Sequence, residues 1–114
     1  MIVTSVITME EYFVFPYRNK EVVLIAMFNE LVSTLNMEII DIEQKIAQKA
    51  AQIRADYRGF KAMDALQLAV AWYTKCDLFL TNDKQLRQFK DIRCITVDEL
   101  ESETPSFQYT FNKA

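Results

Sequence analysis

Three acidic side chains stand next to short apolar segments of this 114-residue chain. Glu11 follows the β-branched segment 2–7, Asp64 opens a long apolar helix, and Asp83 follows the apolar segment 78–80. Side chains that follow parallel strands meet beyond the carboxyl ends of those strands, so we expect the three carboxylates to face one cleft. Converging carboxylates repel one another unless they are protonated or bind a cation. Oxygen ligands without His or Cys suit Mg²⁺ or Mn²⁺.

Each carboxylate also has a simpler interpretation as a helix cap. Thr8-Met-Glu-Glu11 matches the Ser/Thr-x-x-Glu capping box, in which the Glu accepts a backbone hydrogen bond at the helix start. Asp64 and Asp83 stand at predicted helix starts, where aspartate is favoured by hydrogen bonding and by the helix dipole. Capping and metal binding are compatible, because a capping carboxylate keeps one oxygen free. The sequence supports both interpretations.

The composition predicts one compact domain. The chain is 51% hydrophobic, with a single Gly and two Pro, which is unlike a loop-rich or disordered protein. We expect a domain over residues 1–102 and a tail over 103–114, where alternating aromatic residues could be disordered or form an edge strand. The formal net charge of −3 provides no overall attraction to nucleic acid, so RNA binding would need a local basic patch.

Several kinds of site are excluded by residue counts. The chain has no His, which excludes Ser-His-Asp and Cys-His nucleophilic sites. Its two cysteines, Cys76 and Cys94, lie in apolar segments and are predicted to be reduced packing residues. No signal peptide is evident, because Glu10 and Glu11 follow the N-terminus closely. The longest apolar run, 22–27, is too short to cross a bilayer, so we expect a cytoplasmic protein without membrane contact.

Strand and helix patterns alternate along the chain. Helices are predicted from Thr8 to Pro16, which should end the first one, and at 20–35, 43–57, 64–75, 84–89 and 98–101. Strands are predicted at 2–7, 37–42, 78–80 and 92–97. This order indicates an α/β fold with a parallel sheet flanked by helices.

The three acidic segments, in this order and spacing, resemble the PIN-domain ribonucleases, especially the VapC-type toxins of toxin–antitoxin modules. The segments are Ser5-Val-Ile-Thr-Met-Glu-Glu11, Met63-Asp-Ala-Leu-Gln-Leu-Ala69 and Phe79-Leu-Thr-Asn-Asp83, within a resemblance that runs from Ile2 to Leu100. The resemblance implies a PIN-like, RNase-H-like fold and a Mg²⁺- or Mn²⁺-dependent endoribonuclease that hydrolyses RNA phosphodiesters. It implies Glu11, Asp64 and Asp83 as catalytic metal ligands, supported by Thr81 and Asn82.

The chain departs from this family at its start. The family opens on a central strand that ends in an aspartate, and it lies between the strands that correspond here to 2–7 and 78–80. We therefore expect an N-terminally truncated sheet with one acidic ligand fewer, and an activity that is reduced or lost. The gap would be closed by direct pairing of the flanking strands, by the 107–111 segment, by a second copy, or by another chain.

The remaining expectations concern partners. If an antitoxin exists, it should cover the apolar surface of the early helices over 10–35 and the cleft, and a homodimer or higher oligomer is expected from the open sheet. The alternative is a non-catalytic remnant that binds an antitoxin or RNA, or an oligomeric interaction module whose acids are only caps. Basic residues interpreted either as RNA contacts or as solvated helix ends are Arg54, Arg58, Lys61, Lys84 and Arg87. Aromatic residues expected in the core or a partner interface are Tyr12, Phe13, Phe15 and Tyr17.

Overall fold

Two short parallel ladders and four α-helices form the part of the chain that the computed structural model describes, residues 2–96 and 98–99. The alternation of strands and helices confirms the predicted α/β class. A short 3₁₀ helix at Lys84–Gln88 precedes the last strand. The other elements are β1 (Val3–Ser5), α1 (Val6–Asn19), α2 (Val22–Thr34), β2 (Glu38–Ile40), α3 (Gln44–Asp56), α4 (Ala62–Tyr73), β3 (Leu78–Leu80) and β4 (Arg93–Ile95).

The strands pair as two separate parallel ladders. β1 pairs with β2 with Thr4 opposite Ile39, and β3 pairs with β4 with Phe79 opposite Cys94. The parallel pairing agrees with the prediction, but within the described residues β1 and β3 belong to different sheets. Direct pairing of these two strands, one of the four expected ways to close the gap, is therefore not what this structure shows. The tail at 103–114 and most of the predicted turn at 98–101 lie outside the described residues.

One hydrophobic core joins the two ladders through α3 and α4. The unusually apolar sequence of α4 predicts burial on several sides. Val3 of β1 and Phe79 of β3 pack against this same core, which therefore holds both ladders on one layer of helices. The buried helical residues of the core are Ile46, Ala50 and Ile53 from α3 and Ala65, Leu68, Ala69, Val70 and Ala71 from α4.

Helix α1 differs from the sequence prediction at both ends. It begins at Val6 rather than Thr8, because Ser5 takes the N-cap position and accepts a hydrogen bond from the Ile7 N–H at 3.1 Å. Pro16 was expected to end the helix and lies inside it instead. The helix continues to Asn19 and ends in a left-handed residue, Lys20, whose N–H donates to the Pro16 carbonyl. The predicted end was wrong because proline only disfavours helical geometry at the preceding residue and does not forbid it.

Helices α1 and α2 pack on each other outside the main core. Phe28 of α2 is buried and its ring lies 4.8 Å from that of Tyr12 and 5.0 Å from that of Phe13. The outer faces of both helices stay open, and Val22 and Val23 are 74% and 68% exposed. No described helix is both long and apolar enough to cross a membrane.

Both cysteines are free thiols, as predicted. Cys94 is buried in β4, and burial raises the pKa of its thiol. Cys76, before β3, is partly buried and packs against the core. Their placement agrees with the packing role that the sequence indicated.

Candidate acidic site

Asp64 lies in the first turn of α4 and is partly buried. It does not cap this helix, because the N-cap residue is Lys61, which makes no side-chain capping hydrogen bond. Burial raises the pKa of Asp64, the nearby charge of Asp83 raises it further, and Lys61 lowers it. A carboxylate that is partly desolvated and next to a second carboxylate is stabilised by any cation placed between them.

Asp83 follows β3 and is held by two local hydrogen bonds. Its Oδ1 accepts from the Gln85 N–H at 2.9 Å, so Asp83 is the N-cap of the 3₁₀ helix, as the capping interpretation predicts. Its own N–H donates to Thr81 Oγ1 at 3.0 Å. The hydrogen bonds of the described residues leave the second carboxylate oxygen of Asp83 without a donor. Asn82 is exposed between these two residues.

Glu11 lies in the second turn of α1 and is exposed. The predicted capping box of Thr8 and Glu11 is wrong, because the helix has already begun before Thr8. Glu11 is six residues beyond the N-cap Ser5, about 9 Å along the helix axis. At that distance Glu11 does not cap the free N–H groups of the first turn.

The structure brings two of the three predicted acids together. Asp83 is near enough for its charge to raise the pKa of Asp64, although 18 residues separate the two in the chain. Within residues 2–96 and 98–99, no three His, Cys, Asp or Glu side chains lie close enough to form a metal-binding group. Glu11 therefore does not stand in the same cluster as Asp64 and Asp83, and the expected convergence of all three acids is not found among the described residues.

The predicted basic residues differ in what lies around them. The loop after α3 lies close against the 3₁₀ helix at Gly59. A Cβ at this position would collide with the side-chain amide of Gln85. Arg58 and Lys61 flank this glycine, and Lys61 acts electrostatically on Asp64. Arg87, in contrast, is committed to an ion pair with Glu99 at 3.1 Å. The residues Arg54, Arg58, Lys61, Lys84 and Arg87 are all exposed.

A polar link between α1 and α4 was not anticipated from the sequence. Ser5 Oγ donates to Gln67 Oε1 at 2.6 Å, and Gln67 Nε2 donates to Thr8 Oγ1 at 2.8 Å. Gln67 is one turn after Asp64 on α4, and Thr8 is one turn before Glu11 on α1. The signal that could have revealed it is a single amide, Gln67, in the apolar run from Ala65 to Tyr73 of α4.

The acid pair fits a divalent cation. Its donors are carboxylate oxygens only, which is the ligand type that Mg²⁺ and Mn²⁺ prefer. Burial and mutual repulsion both penalise the ionised form of Asp64, and a cation would relieve both effects. Lys61 already supplies a partial counter-charge on one side.

The fold and this site define an α/β protein with paired carboxylates beyond a parallel strand. A family-level sequence comparison matches residues 1–92 to the PIN domain, so the chain belongs to the PIN-domain family. Among solved structures it is similar to a chain described as a toxin-antitoxin complex from Klebsiella pneumoniae, with 28% sequence identity and a TM-score of 0.62. That alignment covers 77% of this chain and 68% of the other. No curated protein matches the sequence.

Proposed function

We propose that this chain is a toxin-type PIN nuclease that hydrolyses RNA phosphodiesters with Mg²⁺ or Mn²⁺. The observation that carries the proposal is the pairing of Asp64 with Asp83 beyond the end of β3. Membership of the PIN family supports the nuclease class. The similar chain from a toxin-antitoxin complex supports the toxin type.

The described side chains suggest a division of roles. Asp64 and Asp83 would hold the cation, which when bound supplies charge stabilisation to the phosphodiester under attack. Thr81 accepts from the Asp83 N–H and so fixes the backbone that carries that carboxylate, while Asn82 stays free to contact substrate. Glu11, which stands apart from this pair on α1, would act through an oriented water molecule, since Mg²⁺ keeps several waters in protein sites.

RNA would approach over the basic residues nearest the acid pair. Lys61 lies close enough to Asp64 to lower its pKa, and Arg54 in the last turn of α3 and Arg58 precede it along the chain. Lys84 follows Asp83 directly. Arg87 contributes least, because its guanidinium is paired with Glu99. With a net charge of −3, such a local patch supplies the attraction that the whole chain lacks.

Calorimetric titration of Mn²⁺ into the purified chain tests the proposal. We expect saturable binding that Asp64→Asn and Asp83→Asn each weaken about tenfold or more, since each removes a direct ligand. Asp77→Asn is the matched control, because Asp77 precedes β3 at the opposite end from Asp83. RNA cleavage that needs Mg²⁺ or Mn²⁺, stops with chelator and is lost in both site variants would support the nuclease.

The same experiment addresses the alternative function. Saturable RNA or antitoxin binding without any Mn²⁺ binding would favour a non-catalytic interaction module. The observation that favours this alternative is that Glu11 stands apart from the acid pair in the described residues. Unchanged Mn²⁺ binding in both aspartate variants would instead show that the cation binds elsewhere, and the proposed site would be wrong.

We also propose that an antitoxin covers the outer face of α1 and α2. Apolar side chains that these two helices expose by 48 to 68% are Phe15, Tyr17, Val23, Met27 and Leu31. Large exposed apolar patches on soluble proteins mark interaction surfaces. The similar chain of known structure comes from a complex with an antitoxin, which supports this kind of partner.

Selection of genomic fragments that relieve growth inhibition by this chain would identify the antitoxin. We expect Val23→Asp to escape neutralisation, because it places a charge on the apolar face, while Glu21→Gln stays neutralised. Light scattering of the purified chain tests the competing occupant, a second copy of the chain. A concentration-dependent dimer that Val23→Asp disrupts would assign the face to self-association.

A further inference from the structure

A chain of side-chain hydrogen bonds connects the start of α1 to α4. Ser5 Oγ and Gln67 Oε1 lie 2.6 Å apart, and Gln67 Nε2 donates to Thr8 Oγ1 at 2.8 Å. Thr4 Oγ1 also donates to Thr8 Oγ1 at 2.8 Å. Ser5 is completely buried, so its hydroxyl depends on these partners and not on water.

This set of hydrogen bonds connects α1 to α4, whereas the other main elements are connected by apolar packing. The main core and the side chains packed against it come from β1, β2, α3, α4 and the segments around β3 and β4. Among the described residues, none from α1 or α2 belongs to that core. Helix α1 packs on α2 and buries Ile7, and it is continuous with β1. Gln67 adds a hydrogen-bonded tie from α1 to α4 itself, the helix that carries Asp64.

The two residues that this hydrogen bond joins, Gln67 and Thr8, each lie one helical turn from a proposed site residue. Gln67 is three positions after Asp64, so the two lie on the same side of α4, one turn apart. Thr8 is three positions before Glu11, with the same relation on α1. The Thr8 hydroxyl oxygen accepts hydrogen bonds from both Thr4 Oγ1 and Gln67 Nε2, so it ties α1 to α4.

We propose that Gln67 is a positioning residue that sets the distance of Glu11 from the Asp64–Asp83 pair. The inference rests on the proposed function, and it adds the reason why an exposed glutamate on a helix outside the main core can serve a site on α4. Glu11 would serve a bound cation through water only while Gln67 holds α1 in place. Without that link, Glu11 keeps its charge and loses its defined position.

A double-mutant cycle on Mn²⁺ affinity tests the proposal. We expect Glu11→Gln to weaken Mn²⁺ binding about tenfold in the natural background, which corresponds to a free energy of about 1.4 kcal/mol. In the Gln67→Met background, Glu11→Gln should change the affinity little, because methionine keeps the volume of Gln67 and makes neither hydrogen bond. Gln52→Met is the control, since Gln52 is an exposed amide on α3.

Hydrogen exchange gives a second measurement that needs no metal. Gln67→Met should speed amide exchange in α1 and leave exchange in α3 unchanged, whereas general destabilisation would speed both. Equal effects of Glu11→Gln in both backgrounds, or unchanged exchange in α1, would overturn the inference and leave the proposed function standing. Absence of Mn²⁺ binding by the natural chain would overturn the proposed function and this inference with it.

Discussion

The carboxylate of Asp83 raises the pKa of Asp64, and the two residues reach this position from different elements. Asp64 belongs to the first turn of α4, and Asp83 caps the 3₁₀ helix that follows β3. The start of α4 places Asp64, and the hydrogen bond from the Gln85 N–H holds Asp83. The common core beneath α4 and β3 brings the two together. Because of this repulsion, the pKa of Asp64 reports on the pairing even when no metal is bound.

Removal of the Asp83 charge should lower the pKa of Asp64. Asp83 is the second-largest cause of the raised value after burial, so Asp83→Asn should return the pKa only part of the way. Carboxyl carbon chemical shifts followed by NMR against pH report it directly. Asp77→Asn should leave the pKa of Asp64 unchanged, and an equal effect of both variants would contradict the pairing.

The stability of the protein should depend on pH through Asp64. Because the folded pKa is raised, the folded state holds more protons than the unfolded state between the ordinary and the raised value. Stability therefore falls as pH rises through this window, and the ionised carboxylate is a cost above it. Asp64→Asn should unfold at higher denaturant concentration than the natural chain at neutral pH.

The difference between Asp64→Asn and the natural chain should vanish at low pH. Below the ordinary pKa of aspartate both side chains are neutral in the folded and unfolded states. Urea unfolding at a series of pH values measures this dependence. A difference that stays constant with pH would show that the substitution acts through packing and not through charge.

Phe28 should contribute strongly to the packing of α2 on α1. Its side chain is 5% exposed and contacts the rings of Tyr12 and Phe13, so Phe28→Ala should cost about 3 kcal/mol of unfolding free energy. Phe15 is 60% exposed, and Phe15→Ala should change stability by less than about 0.5 kcal/mol. Chemical denaturation gives both values, and similar costs for the two would contradict the described burial.

The capping box of this chain lies near the end of the described residues. The N–H of Thr96 donates to Glu99 Oε1 at 3.0 Å, and the N–H of Glu99 donates back to Thr96 Oγ1 at 3.4 Å. Thr96→Ala should therefore cost about 1 kcal/mol. Glu11→Ala should change stability by less than about 0.5 kcal/mol, since Glu11 caps nothing. Equilibrium unfolding in denaturant separates the two.

The contribution of Glu99 should also depend on pH, in the direction opposite to that of Asp64. The hydrogen bond from the Thr96 N–H is the largest of the causes that lower the pKa of Glu99. A carboxylate with a lowered pKa stabilises the fold above its ordinary value, and this contribution is lost as pH falls through the lowered value. Glu99→Gln should therefore approach the natural chain in stability only under acid conditions.

The two Thr-x-x-Glu segments show what local pattern can and cannot decide. Thr8–Glu11 and Thr96–Glu99 have the same spacing, and only the second forms the reciprocal hydrogen bonds. At the first, β1 ends at Ser5, so Ser5 captures the cap and the helix starts too early for Glu11. The outcome depends on where the preceding strand stops. The pairing of that strand with β2 decides its end, and the four-residue pattern carries no information about it.

The candidate acids could be selected from the sequence, but how they group in space could not. Asp64 and Asp83 could be selected because each stands where an apolar segment meets a helix, a local feature. The separation of Glu11 from them could not, because it follows from the position of α1, which lies outside the main core. Gln67 was overlooked for a related reason, since its two partners lie 59 and 62 residues away.

By itself, the sequence determined the α/β class, the limits of β3 and the burial of α4, because apolar periodicity and residue propensity act over neighbouring positions. It also determined which acids were candidates. Only the tertiary structure decided that the sheet divides into two ladders, that Asp83 and not Glu11 is the partner of Asp64, and that α1 is tied by an amide. These outcomes depend on distances between segments far apart in the chain, where hydrogen bonds and charge repulsion act through space.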